Sequence, residues 1–284
     1  NNDGRLDFYA TAWRATWDTL FRNNGDGTFT NVTAAAGMVK DDLPTEAAAW
    51  ADYDRDGWPD LYVSNYRLDP NEMWVNNKNG TFRDLAMALG VDCDNISVIP
   101  NPFGACGHSI GADAADLNND GDLDLYVANL AHPQFLALGH DTSQLYVNRG
   151  APNFEFVDRR EEAGIRYCET ASDPTFADFD ANGRADLFIT SIYENRTSRL
   201  YLADGTSQAT AVRFNEVSEA SGLAVDNGWG AGWSDYDRDG DIDLAVGSSS
   251  GVRLFSNDGN GASYIELELK GRGSNRAAIG ARVF

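Results

Sequence analysis

Short apolar runs alternate with clusters of Asp, Asn and Gly along most of the chain. The runs DLYVSN, DLYVAN and DLFITS start at Asp60, Asp124 and Asp186 and are rich in β-branched and aromatic residues, which favour strands. An Asp-rich turn comes directly before each run, and a further short run such as AAAWADYD or GAGWSDYD leads into such a turn. This pattern of short runs and tight turns predicts an all-β chain of antiparallel hairpins.

Two landmarks recur along the chain in constant order, which indicates a structural repeat. The first is a Gly in each Asp-rich turn, and successive copies are 53, 64, 62 and 57 residues apart. Its copies are Gly4, Gly57, Gly121, Gly183 and Gly240. The second is a Phe followed eight residues later by a Gly. Its copies are Phe29 and Gly37, Phe82 and Gly90, Phe156 and Gly164, and Phe214 and Gly222.

Each repeat can be divided into four short strands. The first strand ends in the Asp cluster and the second follows it at once. The third holds an apolar run, at Leu20, Leu145 and Leu200, and the fourth holds the landmark Phe after an Asn/Gly turn. Four strands at this period are typical of a propeller blade, so we predict a β-propeller with five repeats visible.

The connections differ in length, and most of the extra length falls on one face. In a four-stranded meander, the connection from the second to the third strand and the connection between blades emerge together, opposite the Asp loops. The segments VDCDNISVIPNPFGACGHS (91–109) and HPQFLALGHDTSQ (132–144) are the longest of this kind. Variable loops on a rigid scaffold usually carry binding, so we expect the ligand on this face.

The Asp loops have the composition of a calcium site. Positions 1, 3, 5 and 9 are Asp or Asn in every copy that contains them, position 6 is the Gly that permits a sharp turn, and position 7 can add its carbonyl. The predicted side-chain ligands are Asn1, Asp3 and Asp7; Asp52, Asp54, Asp56 and Asp60; Asp116, Asn118, Asp120 and Asp124; Asp178, Asp180, Asn182 and Asp186; and Asp235, Asp237, Asp239 and Asp243. The predicted carbonyl ligands are those of Arg5, Trp58, Asp122, Arg184 and Asp241. An all-oxygen set without Cys or His suits Ca²⁺ and disfavours zinc or copper, so we predict up to five Ca²⁺ ions.

Two alternatives to a calcium hairpin share part of this pattern. An EF-hand requires Glu at position 12 and flanking helices, but position 12 is apolar in all copies and the flanks are strand-like. The position-12 residues are Ala10, Val63, Val127, Ile189 and Val246. The loops could also be metal-free turns, since Asp-Gly is a common turn pair. Five copies with conserved spacing along the chain argue against that reading, because the carboxylates of an ion-free loop repel one another.

The charge and the apolar runs of the chain limit the kinds of partner it can bind. The chain has 44 acidic and 22 basic residues, a net charge of −22, so nucleic acid and anionic lipid are poor partners. No stretch reaches 18 consecutive apolar residues, so we expect no membrane insertion.

Cys93 and Cys106 flank a loop-like segment and can be either free or paired in a local disulfide, which leaves Cys168 as a small buried residue.

The D-x-D-x-D-G-x-x-D-L hairpin followed by an N-G-x-G-T-F turn resembles the FG-GAP or VCBS repeat of integrin α-subunit propellers, over residues 1–258. That resemblance implies calcium loops that face away from the ligand side and a seven-bladed parent. The run GRGSNRAAIGARV within 259–284 resembles the start of an ASPIC/UnbV domain, as in secreted proteins similar to cartilage acidic protein. Asn1 matches position 3 of a loop, so we expect a truncated first blade.

The favoured hypothesis is a non-catalytic, calcium-stabilised extracellular binding or adhesion propeller, monomeric, secreted or on the cell surface, with a protein or glycan ligand opposite the calcium loops. Its aromatic candidates are Trp13, Trp17, Tyr66 and Tyr193, whereas Trp50 and Trp233 are expected between blades. The main alternative is a calcium-dependent enzyme acting on polysaccharides. It would use the region of His108, His132 and His140. A purely structural spacer is the third possibility.

Overall fold

The computed structural model describes residues 1–13, 17–39, 43–93, 106–130, 142–168, 170–205 and 212–259, which form five antiparallel sheets. The first three sheets contain β1 (Phe8–Ala10), β2 (Thr19–Asn23) and β3 (Phe29–Asn31); β4 (Thr45–Ala51), β5 (Asp60–Asn65), β6 (Glu72–Asn76) and β7 (Phe82–Asp84); and β8 (Ser109–Ala115), β9 (Asp124–Asn129), β10 (Gln144–Asn148) and β11 (Phe156–Asp158). The other two contain β12 (Ala171–Ala177), β13 (Asp186–Ser191), β14 (Arg199–Ala203) and β15 (Phe214–Glu216); and β16 (Gly228–Ser234), β17 (Asp243–Ser248) and β18 (Gly251–Phe255). A short helix, α1 (Ala86–Leu89), follows β7.

Every sheet is a simple meander in which each strand pairs with its neighbours along the chain. The second, third and fourth sheets have four strands, whereas the described parts of the first and fifth have three. The predicted strand assignment is therefore confirmed, because the Asp loop joins the first two strands of each complete unit and the landmark Phe begins the fourth. Each sheet is one blade of a β-propeller.

The core lies between neighbouring blades, and strand alternation decides which blade each side chain meets. In β9, Leu125 and Val127 pack backward against Tyr62 and Met73 of the second blade. Tyr126, between them in sequence, packs forward in the cluster shared with Leu187 of the fourth blade. Successive side chains of a strand point to opposite faces, so one DLYV run supplies half of two different interfaces.

The two tryptophans that precede Asp loops differ: Trp233 packs between blades, as predicted, whereas Trp50 contacts a ring of its own blade. Trp233 packs on Phe188 of the fourth blade, with ring centroids 6.2 Å apart. Its indole N–H donates to the carbonyl of Thr175 at 3.4 Å. Trp50 meets the Phe82 ring edge-on at 6.3 Å, but its side chain is 41% exposed.

The first strands of the blades line up side by side and mark the propeller axis. β4 contacts β8, β8 contacts β12, and β12 contacts β16. Half-buried carboxylates join these strands: Asp113 accepts the Phe176 N–H at 3.0 Å and Asp173 accepts the Ala231 N–H at 3.0 Å. The blades are thus tied together at the axis by hydrogen bonds as well as by apolar packing.

The two faces of the propeller separate the Asp loops from the longer connections, as the meander predicts. Lys78, in the turn between β6 and β7, places its ammonium 2.9 Å from Asp56 in the second Asp loop. On the opposite face, Asn71 donates to Ser109 at 3.0 Å, which links the connection that ends at β6 to the start of β8. The Asp loops and the short Asn/Gly turns therefore share one face, here called the loop face. The other connections form the connection face.

Cys93 and Cys106 form a disulfide, which decides the pairing that the sequence left open. Cys168 is free and half-buried, with its Sγ 3.5 Å from the Ser191 hydroxyl. Within the described residues, no helix is both long and apolar enough to cross a membrane. His132, His140 and nearly all of the tail 259–284 lie outside the described residues, so their assigned roles stay predictions.

Candidate functional site

The second Asp loop shows how the sequence builds its curl. Asp52 accepts the N–H groups of Asp56 at 3.0 Å and Gly57 at 3.0 Å, and Asp56 accepts the N–H of Trp58 at 2.9 Å. Gly57 has φ +86°, a left-handed conformation that glycine adopts without steric cost. Side-chain oxygens thus hold the backbone in a tight turn and point toward a common centre.

Three of the five loops bring three carboxylates together. In each group, one oxygen of every residue lies within 4.8 Å of the others. The groups are Asp52, Asp54 and Asp60; Asp178, Asp180 and Asp186; and Asp235, Asp237 and Asp239. Asp56 is outside the first group and is held by the Lys78 ammonium, and Asp243 is outside the third. Carboxylates this close repel each other strongly unless a cation or a proton lies between them.

The first and third loops differ in how their charges are arranged. In the third loop, Asn118 donates its amide to Asp120 at 2.8 Å and accepts the Asp120 N–H at 2.9 Å. In the first loop, Asp3 pairs with the Arg5 guanidinium at 3.6 Å. Both loops keep the curl but balance part of the negative charge with their own donors.

The Asp at position 9 also joins strands in the second to fifth loops, because it accepts two backbone hydrogen bonds there. In the third blade, Asp124 accepts the N–H of Leu117 at 3.0 Å and that of Asn148, in β10, at 2.8 Å. The same pair of bonds recurs in the second, fourth and fifth blades, at Asp60, Asp186 and Asp243. This carboxylate therefore fixes the loop onto the third strand of its blade.

Burial makes three of the position-9 carboxylates hard to ionise in the absence of a cation. It raises the pKa of Asp60 to about 7, that of Asp124 to about 8 and that of Asp186 to about 6. Burial and the charges of Asp56 and Asp52 also raise the pKa of Asp54. A divalent cation removes this penalty, and an all-oxygen set of carboxylate, amide and carbonyl groups is what Ca²⁺ binds. The residues present fit calcium.

The loops are also connected to one another. In the first three blades, the residue at position 4 reaches the loop of the following blade. Asn2 donates to the Gly57 carbonyl at 2.7 Å, Arg55 to Asp122 at 3.1 Å, and Asn119 to the Gly183 carbonyl at 3.2 Å. Position 4 has a positive φ in all five loops, at Asn2, Arg55, Asn119, Ala181 and Arg238. This left-handed residue is the part of the loop that the composition did not identify.

On the connection face, two side-chain contacts involve residues of three blades. Because Tyr66 and Arg67 are adjacent in the chain, Trp13, Tyr66, Arg67 and His108 are here together called the aromatic ridge. The Arg67 guanidinium lies 5.8 Å from the centre of the Trp13 ring, within cation–π range. Tyr66 and His108 contact edge-on, with ring centroids 5.0 Å apart. Trp13 is 53% exposed, so the ridge presents an aromatic surface to solvent. The predicted position of Trp13 and Tyr66 on this face is confirmed.

The remaining predicted aromatics of this face lie outside the ridge. Trp17 is 66% exposed and Tyr193 is 41% exposed. Tyr193 lies in the connection between β13 and β14, two blades away from Tyr66. Of the three histidines, His108 is the one within the described residues, and it serves the ridge as a ring contact.

A buried polar network holds the connection that carries Tyr66 and Arg67. Asn71 accepts the Asn65 N–H at 2.8 Å, and the Asn65 amide donates to the Pro70 carbonyl at 2.6 Å, which closes the loop at its base. The network continues through Ser109 to Asn129 in the third blade. This role has no signature in the sequence, since Asn near a turn is common and the partners lie 20 to 38 residues apart.

Comparisons with known proteins agree with the repeat pattern. The FG-GAP-like repeat matches residues 1–63, 52–127 and 178–246, which together cover more than half of the chain. Cartilage acidic protein 1 of Xenopus tropicalis is 29% identical over 184 residues, 60% of this chain and 24% of that protein. Cartilage acidic protein 1 of Homo sapiens is 29% identical over 116 residues, 40% of this chain and 15% of that protein. The chain therefore spans about a quarter or less of the length of these relatives.

One solved structure covers nearly the whole chain. It is a lectin from Agrocybe aegerita described for its specific recognition of non-reducing terminal N-acetylglucosamine. The match covers 95% of this chain and 68% of the lectin, with 15% sequence identity and a TM-score of 0.47.

Proposed function

Because this chain belongs to the family of FG-GAP-like repeat proteins, we propose that it is a calcium-stabilised extracellular binding propeller with its ligand site on the connection face. The observation that carries this proposal is the aromatic ridge, which three blades build on the face opposite the acidic loops. In this proposal the Asp loops stabilise the blades, and the aromatic ridge contacts the ligand.

The calcium part of the proposal rests on the three groups of converging carboxylates and on the raised pKa values of Asp60, Asp124 and Asp186. Ca²⁺ would be held by the side chains at positions 1, 3 and 5, by the position-7 carbonyl, and by the free lone pairs of the position-9 carboxylate. A bound ion would neutralise the carboxylates of the loop, so that they no longer repel one another and the turn becomes stable. Because the loops join the first, second and third strands, a bound ion stabilises the whole blade.

The binding part rests on the character of the connection face. An exposed tryptophan is costly to leave in water, and such residues are enriched where a protein meets a partner. Trp13 and Tyr193 are both exposed there, whereas Trp74, in the core between the first two blades, is buried. Connections on a rigid blade scaffold are the usual place for recognition. The ligand class is a protein or a glycan.

Secretion is part of the same proposal. The Cys93–Cys106 disulfide is of the kind that forms and persists in oxidising compartments. The weak calcium affinity expected of such loops, about 10⁻⁴ to 10⁻³ M, is typical of extracellular modules and suits extracellular calcium levels.

A binding screen tests this function. The protein is probed against a glycan array and a panel of extracellular-matrix proteins, in Ca²⁺ and in EDTA. We expect a ligand whose binding is lost in EDTA, lost on changing Trp13 or Tyr193 to Ala, and retained on changing Arg149 to Ala. Arg149 is the control because its exposed side chain lies on the loop face, where it pairs with Glu155. A ligand that depends on Arg149 and not on the connection face would contradict the proposal.

A further inference from the structure

The aromatic ridge joins three connections that are distant in sequence. Trp13 comes from the connection between β1 and β2, Tyr66 and Arg67 from that between β5 and β6, and His108 directly precedes β8. The indole N–H of Trp13 also donates to the carboxylate of Glu46, at the start of β4. Stacking surface, a planar cation and a carboxylate therefore lie together at one place on the connection face.

The ridge is held rigidly, and part of its backbone is strained. Arg67 and Leu68 are consecutive residues with φ +66° and +65°. Left-handed conformations are strained for non-glycine residues and tend to cluster at functional sites. The hydrogen bonds that Asn65 makes with Asn71 and Pro70 hold this conformation in place. A rigid loop loses little entropy when a ligand binds, which favours recognition by a small surface.

The chemistry of the ridge matches a sugar ring. One face of a pyranose is lined by C–H groups and packs on an exposed aromatic ring, while its rim of hydroxyls needs donors and acceptors. Trp13 offers the ring, Arg67 a planar set of N–H donors, and Glu46 an acceptor. None of these three contacts requires a charge on the sugar.

The charges around the ridge favour a neutral sugar over an acidic one. Arg67 supplies one positive charge. Two carboxylates oppose it: Glu46, which lies beside Trp13, and Asp69, which lies in the same connection as Arg67. Asp18 lies in the Trp13 connection and is occupied by the Tyr9 hydroxyl, the Ala12 N–H and the Thr45 hydroxyl. The whole chain carries a net charge of −22, which repels uronic acids and sulfated sugars.

We propose that the aromatic ridge of Trp13, Tyr66, Arg67 and His108 is a binding subsite for neutral pyranose sugars. The inference rests on the proposed function, since it names the ligand class for the connection face. Trp13 is the stacking platform, Arg67 and Glu46 bind hydroxyl groups, and the Tyr66–His108 pair extends the aromatic surface toward the third blade.

Isothermal titration with defined oligosaccharides tests the inference. The probes are neutral hexamers of glucose, mannose and N-acetylglucosamine, and a uronic-acid hexamer of similar length, all in Ca²⁺. The variants are Trp13→Ala, Arg67→Asn and Trp17→Ala. Asn replaces Arg67 because it tolerates a positive φ, and Trp17 is the matched control because it lies in the same connection and is more exposed than Trp13.

We expect a neutral hexamer to bind the unmodified chain and Trp17→Ala equally, and Trp13→Ala about tenfold more weakly, the loss typical of one aromatic contact. The chain has seven tryptophans, so the ligand-induced shift of the Trp13 indole N–H in an NMR spectrum gives a second readout that needs no variant. Binding that ignores Trp13, or that moves other indoles instead, overturns the inference.

The remaining outcomes separate this inference from the function on which it rests. If the uronic-acid hexamer alone binds, or no hexamer binds while a protein ligand uses the connection face, the neutral-sugar subsite is wrong and the proposed function stands. If every ligand found by the screen binds the loop face, both are wrong.

Discussion

The guanidinium of Arg55 in the second Asp loop lies 3.1 Å from Asp122 in the third, so the loops of two neighbouring blades are joined by an ion pair. The Arg55 side chain is half exposed, but Asp122 is 12% exposed and packs close to Gly150. Removing the cation would leave a largely buried carboxylate without its counter-charge, which costs more than the loss of an exposed pair.

We therefore expect Arg55→Gln to lower the free energy of unfolding by about 1 kcal/mol at low salt and by less in 1 M NaCl. Arg149→Gln is the control, because Arg149 and Glu155 form a pair in which both side chains are exposed. Its loss should be near zero. Urea denaturation of both variants measures the difference, and equal losses would show that the Arg55 contact does not couple the blades.

The second prediction concerns calcium. If each loop binds with a Kd of about 10⁻⁴ to 10⁻³ M, 10 mM Ca²⁺ stabilises the fold by about 1.4 to 2.7 kcal/mol per site. EDTA should lower the melting temperature, and Ca²⁺ should restore it better than Mg²⁺, which demands an octahedral shell. An unchanged melting curve in EDTA would rule out structural calcium.

A matched pair of variants in the fifth loop locates the effect. Asp237 belongs to the carboxylate group of that loop, whereas the side chain of Asp241 does not, since position 7 is assigned to its carbonyl. Asp237→Asn should reduce the rise in melting temperature on adding Ca²⁺, and Asp241→Asn should leave it unchanged. A calcium response that is equal in the two variants would refute the ligand assignment.

The third prediction is a pH dependence at the propeller axis. Burial raises the pKa of Asp113, and the charge of Asp173 raises it further, against two backbone hydrogen bonds that lower it. The folded state therefore takes up a proton at a higher pH than the unfolded chain, whose Asp pKa is about 3.9. Asp113 gives a stability gain that is absent at neutral pH, grows as the pH falls through the folded pKa, and is complete below the unfolded one.

Comparison with Asp113→Asn isolates this term, because acid effects elsewhere are common to both proteins. The unmodified chain should gain stability relative to the variant between pH 7 and pH 4. Asp26→Asn should show the opposite sign, because the Thr28 hydroxyl and N–H hydrogen bonds lower the pKa of Asp26. Chemical denaturation at several pH values gives both differences, and trends of the same sign would be inconsistent with these two shifts.

The sequence predicted the parts of this molecule that repeat. The strand order, the two faces and the curl at Gly57 follow from local patterns, because alternation and a left-handed glycine act within a few residues. Leu125 and Tyr126 could be placed in strand β9, but the blade each one meets depends on the twist of the whole sheet. The repeat period therefore predicted the fold, but not which side chains pack at each interface between blades.

The site was predicted less completely, for a physical reason. A hydrogen bond between Arg55 and Asp122, or a cation–π contact between Arg67 and Trp13, joins residues about 50 or more positions apart. Such contacts leave no spacing signature in the chain. The positive φ of Arg55 has no signature either, because Arg is not a residue type that favours a left-handed turn. The functional side chains could be named from the sequence, but not their neighbours.

The last prediction concerns the disulfide. Cys93 and Cys106 are 13 residues apart and close a loop on the connection side of the third blade. Closing a loop of this length removes unfolded-state entropy worth about 3 kcal/mol. Replacing both cysteines with Ser should therefore lower the free energy of unfolding by about 2 to 4 kcal/mol, and reduction of the unmodified chain should reproduce the loss. The third cysteine provides the control: Cys168→Ser should respond to reductant as strongly as the unmodified chain, whereas the double variant should not respond at all. A double variant as stable as the unmodified chain would show that this bond contributes nothing to the native propeller.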